Sequence, residues 1–302
     1  MTGLILHHYD ASPFTQRALK MLGIKRCSWQ SVITPMLPPK DDLLALTGGY
    51  RGTPVLQIGA DIYVDSQRIA RELERRFPTP SLFPDGNAGV GYAMVKWADA
   101  YFRSGLHMAI ALTSANWPAE FRKDREQLFP DVDFAHVDLE HAKSQLRAHA
   151  AFVDQQLSDG RAFLGGASPG LLDIHAWTVP WFARANMPVV NELLETFAHL
   201  GAWERRVADL GEGTRIDGSV EAAFAVARTS TPEPGSIDPE DAQGLESGQD
   251  VEVLPDDTQR GAVRGPVAAC GPNEIAVQHS HPRCGTVVVH FPRLGYRVRP
   301  VK

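Results

Sequence analysis

The residues best suited to chemistry begin with a serine at the predicted start of a helix. Ser12 precedes Pro13 and follows an apolar segment that ends at Tyr9. Serine is a preferred N-cap and proline is favoured at the first helical position, so the Ser12 hydroxyl should lie at the positive end of a helix. It could donate a hydrogen bond to a bound anion there, as could the phenol of Tyr9. A structural cap and a core aromatic are the simpler interpretations of these two residues.

Two further pairs carry polar groups at element boundaries. Pro54 enters a predicted strand, and a cis Thr53–Pro54 bond would leave the backbone groups of Thr53 free to pair with an extended peptide. Asp65 and Ser66 open a predicted helix, whose free N–H groups attract an anion while the carboxylate attracts a cation. An edge proline and a plain N-cap pair would explain each pair separately.

These residues are carried by a predicted β-α, loop, β-β-α order over residues 1–80. A helical period dominates residues 87–228, and we expect a mostly helical second domain. Its later helices are predicted at residues 138–157, 171–185 and 191–210. Asp173, three residues after Gly170, is expected to stabilise the start of one of these helices and to take no part in catalysis.

The last part of the chain changes in character. Residues 229–249 are rich in proline and glycine, lack a period and are predicted to be a linker. Residues 250–302 contain five short β-branched runs separated by turn residues, which predicts a small β-rich, barrel-like domain. The fold class expected is therefore multidomain: an α/β domain, an α domain and a β-rich domain.

In their order and spacing, Ser12-Pro13-Phe14, Thr53-Pro54-Val55 and Asp65-Ser66 resemble the thioredoxin-like N-terminal domain of glutathione transferases. The helical stretch resembles the second domain of that superfamily, so the resemblance covers about residues 3–228. It implies a cytoplasmic homodimer that binds glutathione. Thr53 before a cis Pro54 would pair with its cysteinyl unit, Ser66 would take the γ-glutamyl carboxylate, and Asp65 its ammonium. Asp65 is one methylene shorter than the glutamate usual in the family.

The resemblance also implies a reaction. Free glutathione is mostly protonated at neutral pH because its thiol has a pKa of about 8.5, whereas the thiolate is the nucleophile. Ser12 would donate a hydrogen bond to the thiolate, which would then be conjugated to a small electrophile. Tyr9, near the catalytic phenol of tyrosine-type transferases, is the alternative donor. Where omega-class members have cysteine this chain has Ser12, which disfavours disulfide exchange.

A non-catalytic adaptor is the alternative function. It would keep the fold and use its C-terminal domain to bind another protein, because fold does not by itself determine function.

The composition of the chain argues against several classes of partner. A net charge of −6 offers no footprint for nucleic acid, and the sequence has no apolar run long enough to cross a membrane. Three dispersed cysteines fit a reducing compartment, so a cytoplasmic protein is expected. We expect no metal, because the cysteines and histidines of the tail lack zinc-site spacing: Cys270, His279, His281, Cys284 and His290. Five aromatic residues could line a pocket for the electrophile, although core packing explains most of them: Trp97, Tyr101, Trp117, Trp177 and Trp181.

Overall fold

The N-terminal part has the predicted thioredoxin-like order. The computed structural model describes residues 3–301, except for the side chain of Asp85. Strand β1 pairs in parallel with β2 and antiparallel with β3, and β3 forms a hairpin with β4. The elements are β1 Leu4–His8, α1 Pro13–Lys25, β2 Ser28–Ile33, α2 Asp41–Thr47, β3 Val55–Ile58, β4 Asp61–Val64 and α3 Ser66–Arg76. The segment predicted to be a loop therefore contains β2 and α2.

The middle of the chain is helical, as predicted. Its helices are α4 Ala88–Thr113, α5 Ala119–Leu128, α6 Leu139–Leu157, α7 Leu171–Asn186, α8 Val189–Leu194, α9 Leu200–Ala208 and α10 Val220–Thr229. The single helix predicted over residues 191–210 is wrong, because the chain turns between α8 and α9 and the His199 N–H donates to the Asp154 carboxylate at 2.8 Å. Among the described helices, none is long and apolar enough to cross a membrane.

Asp173 accepts three buried hydrogen bonds at the start of α7. Its carboxylate receives the N–H of Gly170 at 3.0 Å, the N–H of Leu164 at 2.7 Å and the indole N–H of Trp203 at 2.8 Å. Buried polar groups need such partners, so Asp173 joins α7, α9 and the loop before α7. These contacts agree with the stabilising role predicted for this residue.

The C-terminal segment is β-rich, as predicted, and its strands match the predicted runs closely. They are β6 Asp250–Pro255, β7 Val263–Gly271, β8 Glu274–His281, β9 Gly285–Pro292 and β10 Tyr296–Pro300. These strands extend the N-terminal sheet, because β9 pairs in parallel with β4. A short strand that was not predicted, β5 Thr214–Asp217, pairs in parallel with β2 at the other edge. The strand order is β10-β6-β7-β8-β9-β4-β3-β1-β2-β5.

One apolar core joins the C-terminal strands to the N-terminal half. Leu46 of α2 and Ile62 of β4 are buried in the same cluster as Val253, Val277 and Phe291. Each such side chain contributes roughly 1.5–3 kcal/mol when it is removed from water. The C-terminal strands are therefore packed on α2 and β4.

The linker was predicted over residues 229–249, but Thr229 is the last residue of α10. Residues 230–249 contain no helix or named strand in the described structure and are held in place. The Cys270 N–H donates to the Ser236 carbonyl at 2.9 Å, and the Glu233 N–H donates to the Asp61 carboxylate at 2.9 Å. Residues 230–259 carry nine acidic and no basic residues, whereas residues 260–302 carry seven basic and one acidic. Arg293 donates to Asp241 at 3.2 Å, and Arg264 pairs with Glu252 at 2.8 Å, so side chains of the two stretches contact each other. The opposite charges of these two stretches thus meet within the C-terminal segment.

Candidate active site

Ser12 is the N-cap of α1. Its Oγ accepts a hydrogen bond from the Thr15 N–H at 3.2 Å, and the residue is only 1% exposed. Because the hydroxyl oxygen is the acceptor in this cap, its proton is available for a ligand. The Ser12 N–H donates to the Tyr9 carbonyl at 3.1 Å, so both candidate donors belong to one turn. Both residues line the same cavity.

The Thr53–Pro54 peptide bond is cis. Strand β3 begins only at Val55, so Thr53 lies outside the β3–β4 ladder. Thr53 lines two neighbouring cavities, one on the side of Ser12 and one on the side of Asp65. An extended peptide lying along Thr53 would therefore reach both.

Asp65 is the N-cap of α3, with an unusual φ of 70°. A residue with a side chain keeps such a conformation only where its surroundings fix it. The Asp65 carboxylate accepts the Gln67 N–H at 3.0 Å and the Tyr296 hydroxyl at 3.1 Å, and it lies 3.5 Å from the Arg260 guanidinium. The C-terminal segment thus contributes directly to this corner.

Sequence reasoning missed Arg260 and Tyr296. The C-terminal segment is basic after residue 260, but charge alone does not single out one arginine among several, and no local pattern links these residues to Asp65. The feature that places Arg260 is a tertiary contact. Gly261, the next residue, packs so closely on Gly49 that a Cβ on either glycine would overlap the backbone of the opposite segment.

The candidate residues line two adjoining cavities of about 250 Å³ and 260 Å³. The first, the polar cavity, is lined by Thr53, Pro54, Asp65 and Ser66 together with residues of the C-terminal segment. The second, the apolar cavity, is lined by Tyr9, Ser12 and Thr53 together with apolar side chains of the helical domain. Phe14, Thr53 and Arg260 are among the residues that the two share. Taken together, the two cavities are large enough for a small molecule.

Only one of the five predicted aromatic residues lines the apolar cavity. Trp117 does so, beside Phe121. Trp97 lines a separate cavity, while Tyr101 and Trp177 are buried in the helical core. Core packing, the interpretation favoured for most of these residues, holds for Tyr101 and Trp177, and Trp97 and Trp181 pack against the same helical core. Phe14, Phe102, Phe129 and Phe182, which were not predicted, supply the other aromatic walls.

Positive charge surrounds the apolar cavity. Lys40, Arg51 and Arg125 line it together with the single carboxylate of Asp124. Arg51 donates to Asp124 at 2.6 Å and Arg125 lies 3.4 Å from the same carboxylate. One acidic side chain thus faces two arginines, and the Lys40 ammonium adds a further positive charge. Burial, with the charges of Arg125 and Arg51, lowers the pKa of Lys40 to about 8. An anion entering this cavity would meet a favourable potential.

The histidines and cysteines of the tail have other partners. His279 and Cys284 each lie within hydrogen-bond distance of the Ala45 carbonyl, at 3.0 Å and 3.4 Å. His290 Nε2 pairs with Asp61 at 2.9 Å. Within residues 3–301, no three potential ligands are grouped as a metal site would require.

A thioredoxin-like domain followed by an all-helical domain, with candidate ligand-binding residues at their junction, defines a protein of the glutathione transferase fold. A family model described as the glutathione S-transferase N-terminal domain matches residues 6–81. The solved structure of a GST-like protein from Pseudomonas syringae is 35% identical over 100% of both chains, with a TM-score of 0.81. The chain therefore belongs to the glutathione S-transferase family.

More distant structures match about two thirds of this chain and share the fold. A glutathione S-transferase from Rhodospirillum rubrum is 20% identical, covers 68% of this chain and 87% of its own, and has a TM-score of 0.52. A glutathione transferase from Phanerochaete chrysosporium is 15% identical, covers 69% and 97%, and has a TM-score of 0.57. No curated protein matches the chain. The full-length match to the Pseudomonas protein indicates that the C-terminal strands belong to a shared architecture.

Proposed function

We propose that the protein is a glutathione transferase that binds glutathione and conjugates it to a small electrophile. The observation that carries this proposal is that Ser12 lines one cavity, the Asp65-Ser66 pair lines the adjoining cavity, and Thr53 lines both. The γ-glutamyl end would occupy the polar cavity, the cysteinyl unit would pair with Thr53, and the sulfur would reach Ser12.

In the proposed reaction the bound thiol loses its proton to water and the thiolate is held by the Ser12 hydroxyl. The positive end of α1 adds to this stabilisation, as do the charges around Lys40. The sulfur then forms a bond to an electrophilic carbon. In a substitution, the bond from that carbon to the leaving group breaks and its electron pair leaves with the group; in an addition, the π electrons move to the adjacent atom, which takes a proton from water. The apolar cavity would hold the electrophile against its aromatic walls, excluding water from the reacting atoms.

The adaptor function has less support. It depends on a C-terminal domain free to engage another protein, but this segment pairs with β4 and supplies Arg260 and Tyr296 to the polar cavity. The homodimer and the cytoplasmic location that the resemblance implies stay predictions. Sedimentation equilibrium of the purified chain tests the first.

The experiment compares two serine N-caps. Ser12 and Ser219 each accept a backbone N–H at 3.2 Å, but Ser219 caps α10 and does not line either cavity. Both Ser12→Ala and Ser219→Ala should lose about 1 kcal/mol of stability. Only Ser12→Ala should raise the pKa of the bound glutathione thiol, by about 1–2, because a charge-assisted hydrogen bond is lost.

The pKa is measured from thiolate absorbance during a pH titration of the complex. If Tyr9→Phe raises the thiol pKa and Ser12→Ala does not, Tyr9 is the donor. If millimolar glutathione does not bind to the unsubstituted protein in a calorimetric titration, the proposed function is wrong.

A further inference from the structure

A buried arginine with unused hydrogen-bond donors lines the polar cavity. Arg17 is 2% exposed, and its Nη1 donates to Asp99 at 3.1 Å. Its Nε and Nη2 have no partner among the described residues. A buried donor without a partner costs about 1–3 kcal/mol, and more when it is charged. Such a guanidinium lining a cavity is suited to an anionic ligand, which would complete its hydrogen bonds.

Arg260 brings a second guanidinium to the same cavity. The Arg51 N–H donates to the Arg260 carbonyl at 2.8 Å, which fixes the loop against the N-terminal half. The guanidinium carbons of Arg17 and Arg260 lie 4.9 Å and 5.5 Å from the centre of the Phe14 ring. Both guanidinium groups therefore lie near the same aromatic side chain, which lines the cavity.

The negative charge of the corner is already compensated. One oxygen of Asp65 accepts the Gln67 N–H, and the other accepts the Tyr296 hydroxyl and faces Arg260. An ammonium group approaching Asp65 would have to compete with a guanidinium that is largely buried beside it. Asp65 therefore positions Arg260 and is poorly suited to take a second cation.

We propose that Arg17 and Arg260 form a carboxylate-binding subsite for the α-carboxylate of the γ-glutamyl unit, and that the protein recognises glutathione there by this carboxylate and not by the α-ammonium. This inference rests on the proposed function. Guanidinium groups suit the task because their planar donors match a carboxylate. The other cations of the cavity, Lys96 and Arg103, are half exposed and paired or screened, so they contribute less.

The test uses three peptides on the full chain by calorimetry: glutathione, its des-amino analogue glutaryl-cysteinylglycine, and its decarboxy analogue 4-aminobutanoyl-cysteinylglycine. We expect the des-amino analogue to bind within about threefold of glutathione. The decarboxy analogue should bind about 10- to 100-fold more weakly, because it loses charge-assisted hydrogen bonds.

The Arg260→Gln variant should change this preference. Without the guanidinium, the decarboxy analogue should bind less than about tenfold more weakly than glutathione. Asp65 would then be free to take the ammonium of glutathione, so the des-amino analogue should bind about tenfold more weakly than glutathione. The matched control is Arg264→Gln, in the same segment, because Arg264 is 72% exposed and pairs with Glu252 away from the cavity. It should behave like the unsubstituted protein.

Three outcomes contradict the proposal. If the unsubstituted protein loses as much affinity for the des-amino analogue as for the decarboxy analogue, a carboxylate of the cavity (Asp65, Asp99 or Asp257) takes the ammonium, and the inference is wrong while the proposed function stands. If Arg260→Gln and Arg264→Gln keep the same peptide preferences, Arg260 is not part of the subsite. If none of the peptides binds, the proposed function fails and the inference fails with it.

Discussion

A methyl group at Gly261 tests whether the loop that carries Arg260 is clamped against the N-terminal half. Gly261 has a φ of +93°, and a Cβ built there would overlap the carbonyl oxygen of Gly49. Gly248 is the control, because it has a φ of +79° and its Cβ would meet nothing within 4 Å. Alanine at either position suffers the backbone penalty, but only alanine at 261 meets the overlap.

The expected magnitudes separate the two variants. A side chain in the left-handed region costs about 1–2 kcal/mol, and this is the whole cost expected for Gly248→Ala. Forced displacement of packed atoms adds about 1–3 kcal/mol in Gly261→Ala. At about 2 °C for each kcal/mol, the Gly261 variant should melt about 2–6 °C below the Gly248 variant. Because Arg260 moves with the loop, the affinity of the Gly261→Ala variant for glutathione should also fall about tenfold.

Differential scanning calorimetry and a calorimetric glutathione titration measure both effects. Equal melting temperatures for the two variants would refute the clamp. A lower melting temperature for Gly261→Ala with unchanged glutathione affinity would refute the link between this loop and the ligand.

Two further predictions concern buried polar groups. Asp173→Ala should lower the free energy of unfolding by at least about 3 kcal/mol, because it leaves three buried donors without an acceptor. Asp138→Ala removes only the cap of α6 and should lower it by about 1 kcal/mol. Thermal unfolding of both variants checks this prediction, and equal losses would contradict it. Burial lowers the pKa of His290, but the contacts of His290 with Asp61 and Glu274 outweigh burial, so the pKa is raised overall. The stabilising contribution of the charged His290 should therefore be fully present below about pH 6.5 and lost as pH rises through the raised pKa. The difference in melting temperature between the unsubstituted protein and His290→Gln should shrink at alkaline pH, and a difference that grows there would contradict the prediction.

The elements that the sequence predicts well are those with local signals. The Ser12-Pro13 start of α1 and the β-branched runs of the tail are specified by capping chemistry and by alternation with turn residues, so their boundaries agree closely with the structure. The break between α8 and α9 has no such signal. It depends on Asp154, which lies on another helix.

Long-range pairing is the part that the sequence does not reveal. Strand β4 is buried along its whole length, and the interior of β9 from Val287 to Val289 is a continuous apolar run, a pattern typical of strands covered on both faces. That pattern indicates central strands but does not name their neighbours. The positions of Arg260 and Tyr296 beside Asp65 follow from this pairing, and they were missed for the same reason.

The parallel pairing of β4 with β9 also bears on how the protein is made. Ile62 pairs with Val289, and synthesis of the chain between them takes roughly 10–45 s at about 5–20 residues per second. During that interval the emerging N-terminal sheet has an unpaired edge at β4, the kind of edge that recruits strands from other molecules. Nascent chains on neighbouring ribosomes therefore share a period in which the edge must be shielded, and the emergence of β9 from the ribosome ends it.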